Sequence, residues 1–398
     1  MHNAYQGQTL LEEAICGNNV QDMSSAYGLC KVVVNSKLAN ERYYEKYYSN
    51  SSVRSTKNSK YYQINLSLAC NNLKTAACGP NVTDMSGTYA NCRNLSTAVC
   101  SNNVTNMHGT YEGCHNLSYA VCGPNVIDMS NSYRGCYDLK TAVCGPNVTN
   151  MRSAYYYCHN LKTAVCGPNV IDMSYAYVNC QNNLLTAVCS DNVKNMSSAY
   201  AYCYNLTTAV CGSNVINMQN AYTYCHNLKT AVCGPNVTDM SSTYAYCNNL
   251  RTAACGDNVR NMFETYWNCV NLLYAVCGPN VIEMKNTYYN CKNLPYAVCG
   301  PNVVNMCYTY WNCHNLKIAV CGNNVINMCH AYDDCYNLRT AACGPNVTDM
   351  NHTYENCVNL LYAVCGPNVT DMYYTYNNCG NLKTAACGDN VINMCYTY

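Results

Sequence analysis

Phenylalanine is almost missing from this chain: one Phe and two Trp stand against 41 Tyr in 398 residues. Charge is scarce too, at 11% of residues with a net of +1. That balance excludes an acidic tail and, read as an average, a basic patch for nucleic acid. No apolar run reaches the 18 residues of a membrane-spanning helix, so no direct membrane insertion is expected of this segment. The N-terminus lacks the basic, apolar, small-residue order of a signal peptide. Catalytic signatures are equally absent. There is no Gly-rich phosphate loop, no paired-carboxylate arrangement and no Ser-His-Asp setting. Histidines such as His115, His159, His226 and His314 have no constant Cys or Asp partner, and cysteine spacings of 8 and 14 fit neither zinc nor iron–sulfur patterns. The expectation is a non-enzyme with no metal and no cofactor.

What the chain has instead is a period. All seventeen methionines lie on one lattice, from Met1 and Met23 through Met85 to Met394, and each is followed four residues later by Tyr. From Met85 the step is 22, except for 23 between Met173 and Met196, where Gln181-Asn182-Asn183 carries an extra Asn. Self-similarity at this period marks a solenoid.

The unit from Asn227 to Asn248 shows the physics. Ala231 and Cys233 alternate with Thr230 and Val232, as in a short strand with Ala and Cys inward. Gly234-Pro235-Asn236 supplies a turn. Asp239 occupies a slot that is always Asp, Asn or Glu, as an N-cap would be. Met240, Tyr244 and Cys247 follow at four- and three-residue spacings, which predicts one face of a short helix or 3₁₀ segment. The expected fold class is therefore an α/β solenoid, a leucine-rich-repeat-like stack of strand–turn–short-helix repeats of about 22 residues. The Tyr hydroxyls are expected at the edge or against an Asn ladder, and the Asn before each Leu is expected to bond backbone groups of neighbouring rungs.

Domain organisation follows the lattice. Residues 1–30 read as N-terminal repeats, 31–62 as an irregular insertion or eroded repeat, and 63–398 as the regular solenoid. Both ends fall in mid-repeat, which is read as a fragment. Thirty-two of the 35 cysteines occupy two core-facing slots, seven residues either side of the Met slot, and are expected as buried, reduced thiols. Cys307, Cys329 and Cys395 lie off those ladders. Cys307 and Cys329 are on neighbouring rungs within pairing reach, but the preferred reading is ordinary drift at a variable slot.

The outward strand slots are the candidate binding residues: Thr230, Thr252, Tyr274, Tyr296, Thr340 and Tyr362, with Val232, Val276 and Val298 two positions on. A second aromatic set, including Trp267 and Trp311, falls on the predicted helical side. Few charges on such a strip imply weak salt dependence.

Asn-Val-Thr-Asp-Met-Ser-Ser-Thr-Tyr-Ala-Tyr-Cys-Asn-Asn-Leu, ending at Leu250, resembles the repeat of BspA-like leucine-rich-repeat surface proteins. Tyr stands where that family usually has Phe, and Ala and Cys replace bulky strand aliphatics. The resemblance covers the chain outside about 31–62 and implies a curved solenoid on a cell surface, in the extracellular space or on a virion. It implies adhesion to a protein or glycan of a host or partner, with no catalytic residues to carry over. A structural spacer or filament-forming subunit, with end-to-end stacking of copies, and a phage or viral receptor-binding component stand as alternatives.

Overall fold

The computed structural model describes residues 13–15, 21–24 and 71–398. Each rung contributes one three-residue strand: β1 Glu13–Ile15, β2 Thr75–Ala77, β3 Thr97–Val99, β4 Tyr119–Val121, β5 Thr141–Val143, β6 Thr163–Val165, β7 Thr186–Val188 and β8 Thr208–Val210. The second half holds β9 Thr230–Val232, β10 Thr252–Ala254, β11 Tyr274–Val276, β12 Tyr296–Val298, β13 Ile318–Val320, β14 Thr340–Ala342, β15 Tyr362–Val364 and β16 Thr384–Ala386. Pairing is parallel and in register, slot on slot, as in Thr252↔Tyr274 and Ala253↔Ala275. A second ladder of parallel bridges joins the Asp/Asn slots, Asp239 to Asn261 to Glu283.

Two departures from regularity have local causes. The extra residue of the 23-residue rung is absorbed at exposed Asn183, while Asn182 keeps its ladder bond to Asn160 (3.1 Å). Pairing of β6 with β7 contracts to Val165↔Val188 there. Hydrogen-bonded pairing also stops between β11 and β12, as it does, with no proline, between β3 and β4. Equivalent amides reach back one rung, as Leu273 N does to Arg251 O (2.9 Å). Pro295 holds that slot before β12 and has no N–H to give.

β1 pairs directly with β2, and the Thr83 hydroxyl donates to Gln21 O, 62 residues earlier. The rung of Met23 therefore neighbours the rung of Met85. The expected excursion at 31–62 and most of the 1–30 unit lie outside the described residues.

The expected helix is a correction. Among the described residues there is none, so this is a β-solenoid of stacked turns rather than an α/β one. Two positions per rung take left-handed φ, for example Ser242 (51°) and Tyr246 (62°), and each ends any helical run. Between them, amides alternate in destination. Thr243 N and Cys247 N close three-residue turns onto Met240 O and Tyr244 O (3.0 Å each), whereas Ser242 N and Tyr244 N donate to the next rung, at Phe263 O (2.8 Å) and Thr265 O (2.9 Å). Successive three-residue turns reproduce the inward spacing of a helix, which is why Met240, Tyr244 and Cys247 share the core. The cap chemistry survives without the helix: Ser241 N donates to Asp239 Oδ1 (2.8 Å).

The core is ladders. Met, Tyr, Leu, Val and the inner Cys are fully buried on almost every rung. Tyr rings stack nearly parallel, with Tyr222, Tyr244 and Tyr266 centroids 5.6 and 5.7 Å apart. Their hydroxyls are not where the sequence suggested: those of Tyr200, Tyr222, Tyr244 and Tyr266 are buried with no hydrogen-bond partner. The Asn ladder before Leu bonds largely amide to amide, as Asn249 Nδ2 to Asn227 Oδ1 (3.2 Å). Backbone bonding belongs mainly to the other Asn ladder, where Asn236 Nδ2 donates to Ser213 O (2.9 Å) and Asn258 Nδ2 to Pro235 O (2.8 Å). Glycine follows the strand Cys on most rungs, and close contact favours it; Ser101 and Ser190 are the exceptions among the described rungs. A Cβ on Gly278 would stand 2.7 Å from Gly256 O and 3.1 Å from Cys255 Sγ.

Cysteine suits both of its slots. The inner thiols donate to the Tyr carbonyl of the preceding rung, Cys247 Sγ to Tyr222 O (3.2 Å), so a small apolar side chain also satisfies a buried acceptor. Among the described residues the strand-side thiols from Cys78 to Cys365 lie half-buried or buried, and Cys387 is exposed. Cys307 and Cys329, read from the sequence as drift, form a disulfide with Cα atoms 4.7 Å apart. The off-ladder slot holds adjacent rungs close enough to bridge.

Burial pushes the strand-side thiols up, Cys144 and Cys233 to about 12, and the inner ones rise with them. Protonated, buried thiols are inert. Cys78 differs: its hydrogen bond with the Cys100 thiol, reinforced by the Ser101 amide at 3.0 Å, draws it below the ordinary value. Iodoacetamide at pH 7.5 is expected to label Cys78 and the exposed Cys387 and Cys395 ahead of Cys144 or Cys233, with the buried ladder thiols reacting only in denaturant. Uniform labelling of the native protein would contradict this packing.

Candidate binding face

The strands present rows rather than a pocket. Where the side chains are described, the central Ala of a strand turns inward and its neighbours turn out, and the fifteen rungs from β2 to β16 align like slots along one face. The outer row of the third slot is apolar and open over most of the length: Val99, Val188, Val232, Val320 and Val364 are each more than half exposed. An exposed apolar strip this long is unusual on a protein surface.

The candidate residues fall as follows. Thr230, Thr252 and Thr340 are exposed in the first row, together with Tyr274 (61%), Tyr296 (59%) and Tyr362 (50%). Val232 and Val276 are exposed in the third-slot row, and Val298 closes β12. These belong together. Trp267 and Trp311 do not join them. They are half-buried on the turn side, in an aromatic column that runs from stacked Tyr224 and Tyr246 (4.3 Å) through Trp267, which meets Tyr289 edge to face (5.3 Å), to Trp311 stacked on Tyr289 (4.4 Å). Trp311 Nε1 donates to Asp333 Oδ2 (3.3 Å). Rings stacked on each other offer edges, not faces, to a ligand.

Two features were not found from the sequence. A shallow groove follows the corner beyond the strands, lined by alternating Asn and Met-minus-two side chains such as Asn81, Thr83, Asn103, Thr105, Asn125 and Ile127. It exists because the Val between each such pair is fully buried. The constant Asn-Val-x triplet was its signal. The second feature is a cationic row. Eight cations each stand immediately before a strand and are exposed: Lys74, Lys140, Lys162, Lys229, Arg251, Lys317, Arg339 and Lys383. Net charge conceals such segregation by face. Among the described residues no group of His, Cys, Asp and Glu is arranged to hold a metal ion, and no helix is long and apolar enough to cross a membrane.

Comparison with known proteins places this geometry. A leucine-rich repeat protein from Bacteroides ovatus superposes with a TM-score of 0.62 at 13% identity, covering 99% of this chain and 86% of its own. A leucine-rich cell surface protein from Faecalibacterium prausnitzii aligns at 14% identity over 79% of each chain, with a TM-score of 0.40. Among curated proteins none matches. The model of the BspA type leucine-rich repeat region (6 copies) matches over five overlapping ranges, residues 40–162, 86–207, 152–273, 195–317 and 261–383. With that model matched across more than half of its length, the chain belongs to the BspA type leucine-rich repeat family.

Proposed function

We propose that this protein is a non-catalytic binding module that holds a partner macromolecule on a cell surface through its strand face. The observation that carries the reading is the contrast between the two sides of each strand. Inward slots are fixed by stacking, while the outward ones vary among Thr, Tyr and Ile in the first row and are Val or Ala in the third, most of them exposed where described. Exposed Tyr on a rigid sheet gives large contact area at little entropic cost. The family is generally non-enzymatic and typically found on cell surfaces. The Cys307–Cys329 bond fits an oxidising compartment.

The test changes Tyr274, Tyr296 and Tyr362 together to Ser and measures adhesion to panels of host cells. These side chains support no neighbour's packing, so the variant is expected to fold. Adhesion is expected to fall about tenfold or more, because aromatic residues carry much of the energy of such contacts. Undiminished adhesion by the folded variant would refute the strand face as the site and favour an inert spacer or the Trp267–Trp311 column.

A further inference from the structure

We infer that the strand face takes an acidic polysaccharide, laid along the solenoid axis against the cationic row. This rests on the strand-face reading and names its ligand class. The row has an order that sequence averages hide. Lys74 and Lys383 stand singly before β2 and β16, and the six cations between them come as pairs, Lys140 with Lys162, Lys229 with Arg251, and Lys317 with Arg339, before β5 and β6, β9 and β10, and β13 and β14. Each pair thus recurs four rungs after the last, or roughly 19 Å at the strand spacing.

Nothing on the face neutralises them. From β2 to β16 no Asp or Glu occupies the slot before the strand or either outward strand slot. The ion pairs among the described residues join Arg134 to Glu112, His330 to Asp333 and His352 to Glu355, and none involves these six cations. The nearest carboxylate in sequence, Asp138, sits in the Asn ladder and accepts from Asn160 Nδ2 (3.4 Å). The carboxylates of the Met-minus-one slot accept amide bonds within their own turns, as Asp239 and Asp349 do.

The neighbouring rows suit sugars. Thr hydroxyls stand directly beside Lys162, Lys229, Arg251 and Arg339 and are exposed, able to donate to or accept from ring hydroxyls. Tyr274, Tyr296 and Tyr362 stand half or more exposed in the same row, and among the described residues no aromatic ring stacks on them, unlike the turn-side column. Open Tyr faces can pack against the apolar face of a sugar. Nucleic acid fits less well. Duplex DNA carries a charge about every 1.7 Å of axis, against two cations per roughly 19 Å here. A polymer whose carboxylates are separated by sugar rings matches the sparse pairs better. This ligand class predicts strong salt dependence, where composition alone suggests weak dependence.

The experiment measures binding of the intact chain to immobilised alginate, neutral dextran and poly(dT), at about 50 and about 500 mM NaCl. Alginate is expected to bind, dextran to bind weakly, and alginate binding to fall about tenfold or more at the higher salt. Changing the six paired cations to Gln should reduce alginate binding about tenfold or more. A variant with Lys140, Lys162, Lys229 and Lys317 changed to Arg should retain it, which separates loss of charge from loss of fold. Equal alginate binding by wild type and the Gln variant would overturn the inference, as would tighter binding of poly(dT) than of alginate. Absence of alginate binding with Tyr-dependent adhesion to cells intact would also overturn it, while leaving the strand-face reading in place.

Discussion

Replacing Tyr244 with Phe is expected to stabilise the protein, whereas replacing it with Ala is expected to cost roughly 3–5 kcal/mol. The ring of Tyr244 is 1% exposed and stacked on both neighbours, so its removal opens a cavity and breaks two contacts in a ladder. Its hydroxyl has no partner. Burying such a group costs on the order of 1–3 kcal/mol, and Phe keeps the ring while removing that cost. The same holds at Tyr222 and Tyr266, which share both properties. Tyr177 is the internal control, because its hydroxyl donates to Val165 O at 3.4 Å; Phe there should gain less. Since each rung touches only its neighbours, amide exchange read rung by rung is the suitable measurement. A Phe variant at Tyr244 that exchanges faster than wild type in the β9–β10 rungs would contradict the packing.

Raising the pH is expected to unfold the stack steeply. Burial holds the phenols of twelve ladder tyrosines, from Tyr111 to Tyr354, well above the ordinary value. In the unfolded chain the same phenols ionise near about 10. The folded state therefore keeps protons that the unfolded state gives up. Stability is unaffected below the unfolded value and declines as pH rises through it. Each phenol contributes up to about 1.4 kcal/mol per pH unit, so the ladder acts in concert. The strand-side thiols raised to about 11 or 12, such as Cys122 and Cys144, push in the same direction. Tyrosinate absorbance followed alongside circular dichroism should show the buried rings ionising only as the fold is lost, in one steep step. Gradual ionisation of every ring with the fold intact would refute the buried Tyr ladder.

Much of this architecture was legible in the sequence because stacking allows so little freedom. Ala253 and Met240 sit in slots where only certain volumes close a ladder, and both went inward as expected. The helix was the misreading. Spacings of four and three between Met240, Tyr244 and Cys247 belong equally to a helix and to successive three-residue turns. The discriminating signal lay six residues after each Met, where Asn91, Gly113, Gly135, Asn268 and Asn290 recur. Asn and Gly are the residues that tolerate left-handed φ, and such a slot on every rung is incompatible with a continuing helix. Tyr157 and Tyr224 adopt the same φ (63° and 61°) and obscured the pattern.

The candidate face was legible in part. Its Thr, Tyr and Val rows followed from two-residue alternation. The cationic row escaped because whole-chain charge sums over all faces, and carboxylates elsewhere cancel it. Trp267 and Trp311 were grouped by residue type, yet the fold sets them in a different column from the strands.

One distance series tests the stacked architecture itself. Nitroxides attached through an unnatural ketone side chain at Thr163 and Thr252, and separately at Thr163 and Thr340, report spacings across four and eight rungs without disturbing any thiol. Strand stacking at about 4.8 Å predicts separations near 19 Å and 38 Å, in proportion to the number of rungs. Separations that fail to grow with rung number would contradict the solenoid.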